Sequence, residues 1–284
     1  MTRKIIVNAD DFGRHVLINQ AVAEGVQKGI LRSATVMVGG AAFLDAVELA
    51  KREPLLGVGI HLTLVDGRPV LPKKIIPSLI DPQTGMFYPN HAAFVKHFLK
   101  GGVRLAEVKQ ELTAQIETFL RTGLLPTHVD SHQHMHVLPG IIDTVIALCR
   151  QYKIPALRIP AIPVDLWATR RNNIGEQVGR TGLHVLAQLA RRKAHAAGLL
   201  TTDYFGGIVA GEAVDKKTLR LLLLTLKEGV TEIMLHPGTD NKVLIPATAW
   251  QHNFEAELEG IVDPGNLQIA KERAIQPVNF AQLC

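Results

Sequence analysis

Residues 128–136 bring four histidines and an aspartate into one short stretch, as His128, Asp130, His132, His134 and His136. Neutral imidazole is a nitrogen ligand for Zn and other transition metals, and it exchanges protons near neutral pH. So many polar rings cannot pack together without partners, so a metal site is the first chemistry this stretch implies. Further candidates stand far away in the chain: the adjacent Asp10 and Asp11, His61, Arg158 and His236. The spacing is not HExxH, which disfavours a zincin. The chain also lacks GxGxxG, GxxxxGK[ST] and GxSxG runs, which lowers the case for nicotinamide redox, P-loop phosphoryl transfer and serine hydrolysis.

These groups need a scaffold, and the 284 residues, 47% hydrophobic and 20% charged, suit one folded α/β domain spanning 1–284. A net charge of +5 permits weak attraction to anionic surfaces, but 5% aromatic content and the absence of a reader motif argue against nucleic-acid binding. Cys149 and Cys284 form neither a CxxC site nor a disulfide framework. The start runs into a core strand and turns acidic at Asp10-Asp11 before any signal-peptide apolar region forms, so a cytoplasmic location is expected. No apolar run reaches membrane-spanning length, since Arg220 and Thr225 interrupt the nearest one at 219–226. Peripheral membrane contact and homo-oligomerisation are both compatible with the chain.

Hydrophobic periodicity predicts strands at 5–7, 34–38, 57–62, 127–130, 156–159, 201–204 and 232–235, and a closing extended segment at 275–280. Helices are expected at 16–28, 41–51, 91–99, 105–121, 141–152, 216–227 and 247–258, and within 182–197. Residues 63–90 are punctuated by Gly67, Pro69, Pro72, Pro77, Pro82, Gly85 and Pro89, an irregular insertion of the kind that covers or shapes a site. Phe205-Gly206-Gly207 reads as a flexible turn. Repeated βα units predict a modified, incomplete TIM-like β/α barrel of parallel strands, with an open doubly wound sheet as the alternative. In a barrel Asp10, Asp11, His61, the histidine cluster, Arg158 and His236 fall at the C-terminal strand ends, around the rim of one pocket.

Other readings of single residues stay open on the sequence. One of Asp10 and Asp11 can cap the helix beginning near His15, and His61 taken alone reads as a hydrogen-bonded core residue. Asp130 can fix the tautomer of a liganding imidazole, while His128, His134 and His136 are open to supporting, ligand or substrate-contact roles. Arg158 can hold Asp10, orient substrate or form a structural ion pair. The stripe Arg191-Arg192-Lys193 is either a solvated helix end or a contact for an anionic or membrane-associated substrate.

Val7-Asn8-Ala9-Asp10-Asp11-Phe12-Gly13, Gly59-Ile60-His61-Leu62-Thr63, the run Pro126 to His136 and Leu235-His236-Pro237-Gly238 resemble, in order, the signatures of the YdjC-like carbohydrate deacetylases. That family includes chitooligosaccharide deacetylases and the deacetylase associated with hopanoid biosynthesis. The resemblance implies a modified β/α barrel that binds one divalent metal, Mg or Zn, and removes acetyl groups from N-acetylated sugars or glycolipids. It implies Asp11, His61 and His132 as metal ligands and Asp10 as general base, with His236 a catalytic histidine by analogy with related polysaccharide deacetylases. Length, Leu157-Arg158-Ile159-Pro160 and the irregular middle resemble the hopanoid-associated branch, although Pro160-Ala161-Ile162-Pro163 lacks the Glu expected there between the prolines. The rival functions are a metal-dependent hydrolase of a sugar ester or phosphorylated sugar, and a non-catalytic carbohydrate-binding protein.

Overall fold

A computed structural model of the chain describes residues 2–161, 174–208 and 213–283. Its parallel strands are β1 (Arg3–Phe12), β2 (Ser33–Val36), β3 (Gly57–Leu62), β4 (Val129–Ser131), β5 (Tyr204–Gly206), β6 (Gly229–Leu235) and β7 (Ile275–Pro277). The surrounding helices are α1 (Val16–Lys28), α2 (Phe43–Arg52), α3 (His91–Leu99), α4 (Leu105–Leu120), α5 (Ile141–Gln151), α6 (Ile174–Ala196), α7 (Lys216–Thr225), α8 (Asn241–Thr248), α9 (Phe254–Val262) and α10 (Pro264–Glu272). Among the described residues no helix is long and apolar enough to cross a membrane.

The strands run in the order β4-β3-β2-β1-β6-β5, with β7 paired to the first residues of β1. That order is cyclic, because β6 returns beside β1 and β5 lies outside β6. A doubly wound sheet would instead place β4 against β1 and continue outward. The sheet is therefore a curled, incomplete TIM-like barrel. Its ladder is open between β4 and β5, where single parallel bridges pair Val129 with Leu157 and Ala156 with Leu200. The strand expected at 156–159 is reduced to these bridges, since Pro155 and Pro160 have no N–H to extend a ladder. The strand expected at 201–204 forms later, over Tyr204–Gly206, so Phe205 and Gly206 pair with β6 and the chain turns only at Gly207, φ 104°.

Alternation along β1 sorts its side chains. Ile5, Val7 and Ala9 join the main core, whereas Ile6 packs in a separate inner cluster with Ala156, Val278 and Phe280. Asn8 and Asp10 continue that inner face toward the C-terminal end of the strand, where they hydrogen-bond each other. The inner apolar cluster forms the floor of the barrel. The His128 ring stacks on Phe280, 3.6 Å between centroids and 12° between planes. Gly59 makes room for it, since a Cβ there would lie 2.4 Å from His128 Cε1.

The insertion at 63–90 is held by one face of α4, along which Glu107, Glu111 and Gln115 recur every four residues. All three are buried. Glu111 accepts the backbone N–H of Val70 and Leu71 at 2.8 and 3.0 Å, and Glu107 accepts that of Ser78 at 2.7 Å. Gln115 exchanges two bonds with the Thr63 backbone, at 2.9 and 2.7 Å. Irregular backbone cannot satisfy its own amides, and these side chains do it instead. Glu111→Ala is expected to destabilise the protein by about 2–4 kcal/mol through two lost amide acceptors. A lowered urea midpoint at unchanged slope is the measurement.

Candidate metal centre

At the end of β1 the pairing with β2 shifts register between Ala9 and Phe12, and Asp11 adopts a left-handed φ of 60°. Strand alternation alone would send Asp11 outward with Ala9; the kink re-aims it over the rim, as bulges beside active sites do. His15 caps α1 itself, its Nδ1 accepting from Leu17 N–H, so neither aspartate serves as the helix cap. His61 rises from the end of β3. β4 stops at Ser131, and His132 opens a 3-10 turn that carries it to the same point.

The structure brings Asp11, His61 and His132 together with one ligand atom each, all within 4.8 Å of one another and all buried. Asp11 Oδ1 lies 3.3 Å from His61 Nε2 and 2.9 Å from His132 Nδ1. Among the described residues, neither Asp11 Oδ1 nor His61 Nε2 has a hydrogen-bond partner. Buried polar atoms left so are rare, and two imidazole nitrogens with one carboxylate oxygen are a donor set that suits a divalent cation. The residues present therefore fit a metal. Burial alone would raise the Asp11 pKa; His132, with His61 and Arg14, outweighs it and holds the carboxyl well below the usual range.

Behind this cluster Arg158 is fully buried and faces three carboxylates. Its Nη1 and Nη2 grip Asp10 at 2.6 and 2.7 Å, Nη1 also meets Asp130 at 2.5 Å, and Nε bonds Glu232 at 2.6 Å. Asp130 in turn accepts from His61 Nδ1 at 2.7 Å and from Thr35 Oγ1 at 3.1 Å. The His61 ring thus spends Nδ1–H on Asp130 and turns Nε2 toward Asp11, a carboxylate-held imidazole of the kind that supports metal sites. Burial lifts the Glu232 carboxyl to about 7 against the pull of Arg158. Asp10, His61 and Asp130 also lie within reach of one another, but Arg158 engages both of those carboxylates.

The remaining histidines separate sharply. His128 is locked between Gly59 and Phe280, with Nδ1 2.9 Å from Thr127 Oγ1, and burial pushes its pKa down to about 3. His136 donates Nε2–H to the Arg158 carbonyl at 3.0 Å, so its Nδ1 accepts from Ser131 Oγ at 2.6 Å. His134 is buried edge-on to Phe205, 5.9 Å between centroids. His236, half-buried at the end of β6, lies 4.8 Å from Trp250 and 5.5 Å from His252 between ring centroids. Its backbone N–H bonds Glu257, which also accepts from Val214 N–H at 2.8 Å.

Sequence reasoning missed Glu232, Arg14, Asp66, Asn8 and Thr35. Glu232 occupies an inward position in a buried strand, a signal that an acidic residue there must have a partner. Arg14 Nη1 lies 3.2 Å from Asp11 Oδ2 and its Nη2 2.9 Å from Asp66 Oδ2. In the basic stripe, Lys193 pairs with Asp143 at 2.6 Å and Arg191 donates to the Asp203 carbonyl at 3.1 Å, so both serve the fold itself. Buried Cys149 is raised to about 12 by burial and stays a thiol. Ile162, Pro163 and Cys284 lie outside the described residues.

The chain is 32% identical over 283 residues to a carbohydrate deacetylase of Geobacillus stearothermophilus, covering 99% of this chain and 98% of that protein. A carbohydrate deacetylase of Brevibacillus brevis is 31% identical over 281 residues, covering 99% of both. A crystal structure from Enterococcus faecalis, described as a cellobiose-phosphate cleavage protein, superposes with a TM-score of 0.79 at 28% identity and covers all of both chains. A structure from Agrobacterium tumefaciens, TM-score 0.52 at 12% identity, shares the fold alone. The YdjC-like protein family matches residues 4–272, and the chain belongs to that family.

Proposed function

We propose that the chain is a metal-dependent carbohydrate N-deacetylase, with Asp11, His61 and His132 holding one divalent ion, Zn or Mg, Asp10 as general base and His236 as proton donor. The observation that carries the reading is the convergence of three ligand atoms on one buried point directly beside Asp10. The names of the full-length relatives support the reaction class. A divalent cation there would polarise an acetyl carbonyl and lower the pKa of an attacking water.

Asp10 is built to receive that water's proton. Its Oδ1 takes Arg158 Nη2 and Asn8 Nδ2 at 2.7 and 2.9 Å, while Oδ2 takes Arg158 Nη1, leaving Oδ2 a lone pair. Arg158, sealed from solvent, acts on substrate only through Asp10 and is a positioning residue. Burial outweighs the upward pull of Asp10 and Asp11 and holds the His236 pKa below its usual value, so a proton taken up by that ring during the reaction would pass readily to a departing sugar amine. A cavity of about 360 Å³ borders the cluster through Arg14 and Asp66 and is walled by Met37, Thr63, Met86 and Phe87. Apolar walls suit the C–H faces of a pyranose, and the polar groups suit its hydroxyls. Chitooligosaccharides and an N-acetylglucosaminyl lipid are the two substrate classes, the lipid requiring peripheral membrane contact.

Acetate release from both substrates is expected to disappear on chelation and return with Zn or Mg; release of phosphate or of an ester alcohol instead would replace this reading. Asp10→Asn is expected to keep its metal while turnover falls by about 100-fold or more. His61→Ala and His132→Ala are expected to lose the metal, measured by elemental analysis.

Metal uptake carries its own pH dependence. Burial would lower the His61 pKa, but Asp130 and Asp10 lift it from 6.5 to about 10, and Asp11 lifts that of His132. A His61 ring raised that far holds its second proton at neutral pH in the metal-free protein, and that proton leaves when its Nε2 becomes a ligand. Apparent metal affinity is therefore expected to strengthen as pH rises toward 10 and to weaken as it falls. Calorimetry in buffers of different ionisation enthalpy should show proton release on Zn binding.

A further inference from the structure

We propose that Asp66 is a positioning residue of the metal centre: it holds His132 in the tautomer that frees Nδ1, and so brings the insertion at 63–90 into the grip on the ion. The inference rests on the reading of His132 as a ligand and goes beyond it.

The geometry presents a choice between two tautomers. His132 Nε2 lies 3.3 Å from Asp66 Oδ2 with N–H geometry, and Nδ1 faces Asp11 Oδ1 at 2.9 Å. A neutral imidazole carries one ring proton, so Nε2–H to Asp66 leaves the Nδ1 lone pair for a cation. Arg14 Nη1 lies 3.4 Å from the same Nε2. A guanidinium only donates. Without the Asp66 carboxylate, Arg14 would donate to Nε2, and the ring proton would move to Nδ1 and block the ligand atom. Asp66 also occupies Arg14, taking its Nη2 at 2.9 Å.

The placement of Asp66 is specific. Its φ is 48°, a left-handed conformation that costs a non-glycine residue energy and that surrounding structure must enforce. The enforcing contacts are the Asp66 N–H to Tyr88 carbonyl bond at 2.8 Å and the parallel bridge of Val65 with Tyr88, which tie the start of the insertion to its end. The arrangement repeats that of His61, whose far nitrogen is held by Asp130. The two carboxylates differ in exposure: the Asp130 side chain is sealed at 0%, while that of Asp66 is 32% exposed on the cavity wall. A ligand seated in that cavity therefore touches the residue that orients a metal ligand.

Zn titration of the wild type, Asp66→Ala and Asp66→Asn proteins tests this. Asp66→Ala is expected to weaken Zn affinity by about 10–100-fold, with metal-free thermal stability close to wild type because Asp66 is partly exposed. Asp66→Asn, whose amide oxygen still accepts Nε2–H, is expected to retain most of the affinity, and Arg14→Met in the Asp66→Ala background to recover part of it. Nitrogen NMR of the Zn-loaded wild type should show His132 protonated at Nε2. Zn affinity of Asp66→Ala within about twofold of wild type, or a proton on Nδ1 of His132, would overturn the inference while leaving the metal centre standing. A wild-type protein that takes up no Zn or Mg would instead remove the metal reading, and this inference with it.

Discussion

Arg158 is the interaction on which the interior depends. One guanidinium without solvent contact satisfies Asp10, Asp130 and Glu232 together, and loss of it would strand buried carboxylates at a cost of about 3–5 kcal/mol. Asp10 and Asp130, with Glu232 lifted to about 7 and so partly protonated near neutral pH, still outnumber one fixed cation and leave an excess of negative charge. The proton shared along Asp130 and His61 balances part of it, and a divalent ion between Asp11, His61 and His132 would balance more. Low interior polarisability makes that compensation steep with distance, which favours a cation at the rim over one in bulk water. Arg158 thereby positions Asp10, the proposed base, and, through Asp130 and His61, the cluster proposed to hold an ion.

The fold was legible where local pattern and tertiary demand agree. β1, α1, β3 and the helix at α4 fall close to the positions read from hydrophobic period, and the cyclic order of their pairing follows from the βα rhythm. Ala156 to Ile159 and Tyr204 to Gly206 departed from expectation because barrel closure decides which of their amides find partners, with Pro155 and Pro160 further limiting the ladder at the first of them. The insertion looked irregular in sequence and is irregular in structure. Its order comes from Glu107, Glu111 and Gln115 on α4, whose helical spacing is visible but whose purpose appears only in contact.

The site was legible in part for a similar reason. Asp10, Asp11, His61 and His132 stand at strand ends, so a barrel predicts their meeting. The four clustered histidines look equivalent in sequence, yet only His132 joins Asp11 and His61, because the chain leaves β4 in a 3-10 turn with left-handed residues at Gln133 and His134. Arg14, Asp66 and Glu232 were invisible as a set. Each is an ordinary charged residue until folding places it within 4 Å of a partner remote in sequence.

The apolar cluster at the N-terminal end of the barrel forms a floor beneath the polar groups of the site. Phe280, Val278, Ile6 and Ala156 pack there with the His128 ring stacked on Phe280, so that among the described residues this end of the barrel is lined by apolar surface. If the chain acts as proposed, water, incoming sugar and outgoing acid would all reach and leave the site from the rim side. Departure of one product would then set when the next molecule enters, and traffic at the rim would become a lever on throughput separate from bond cleavage itself.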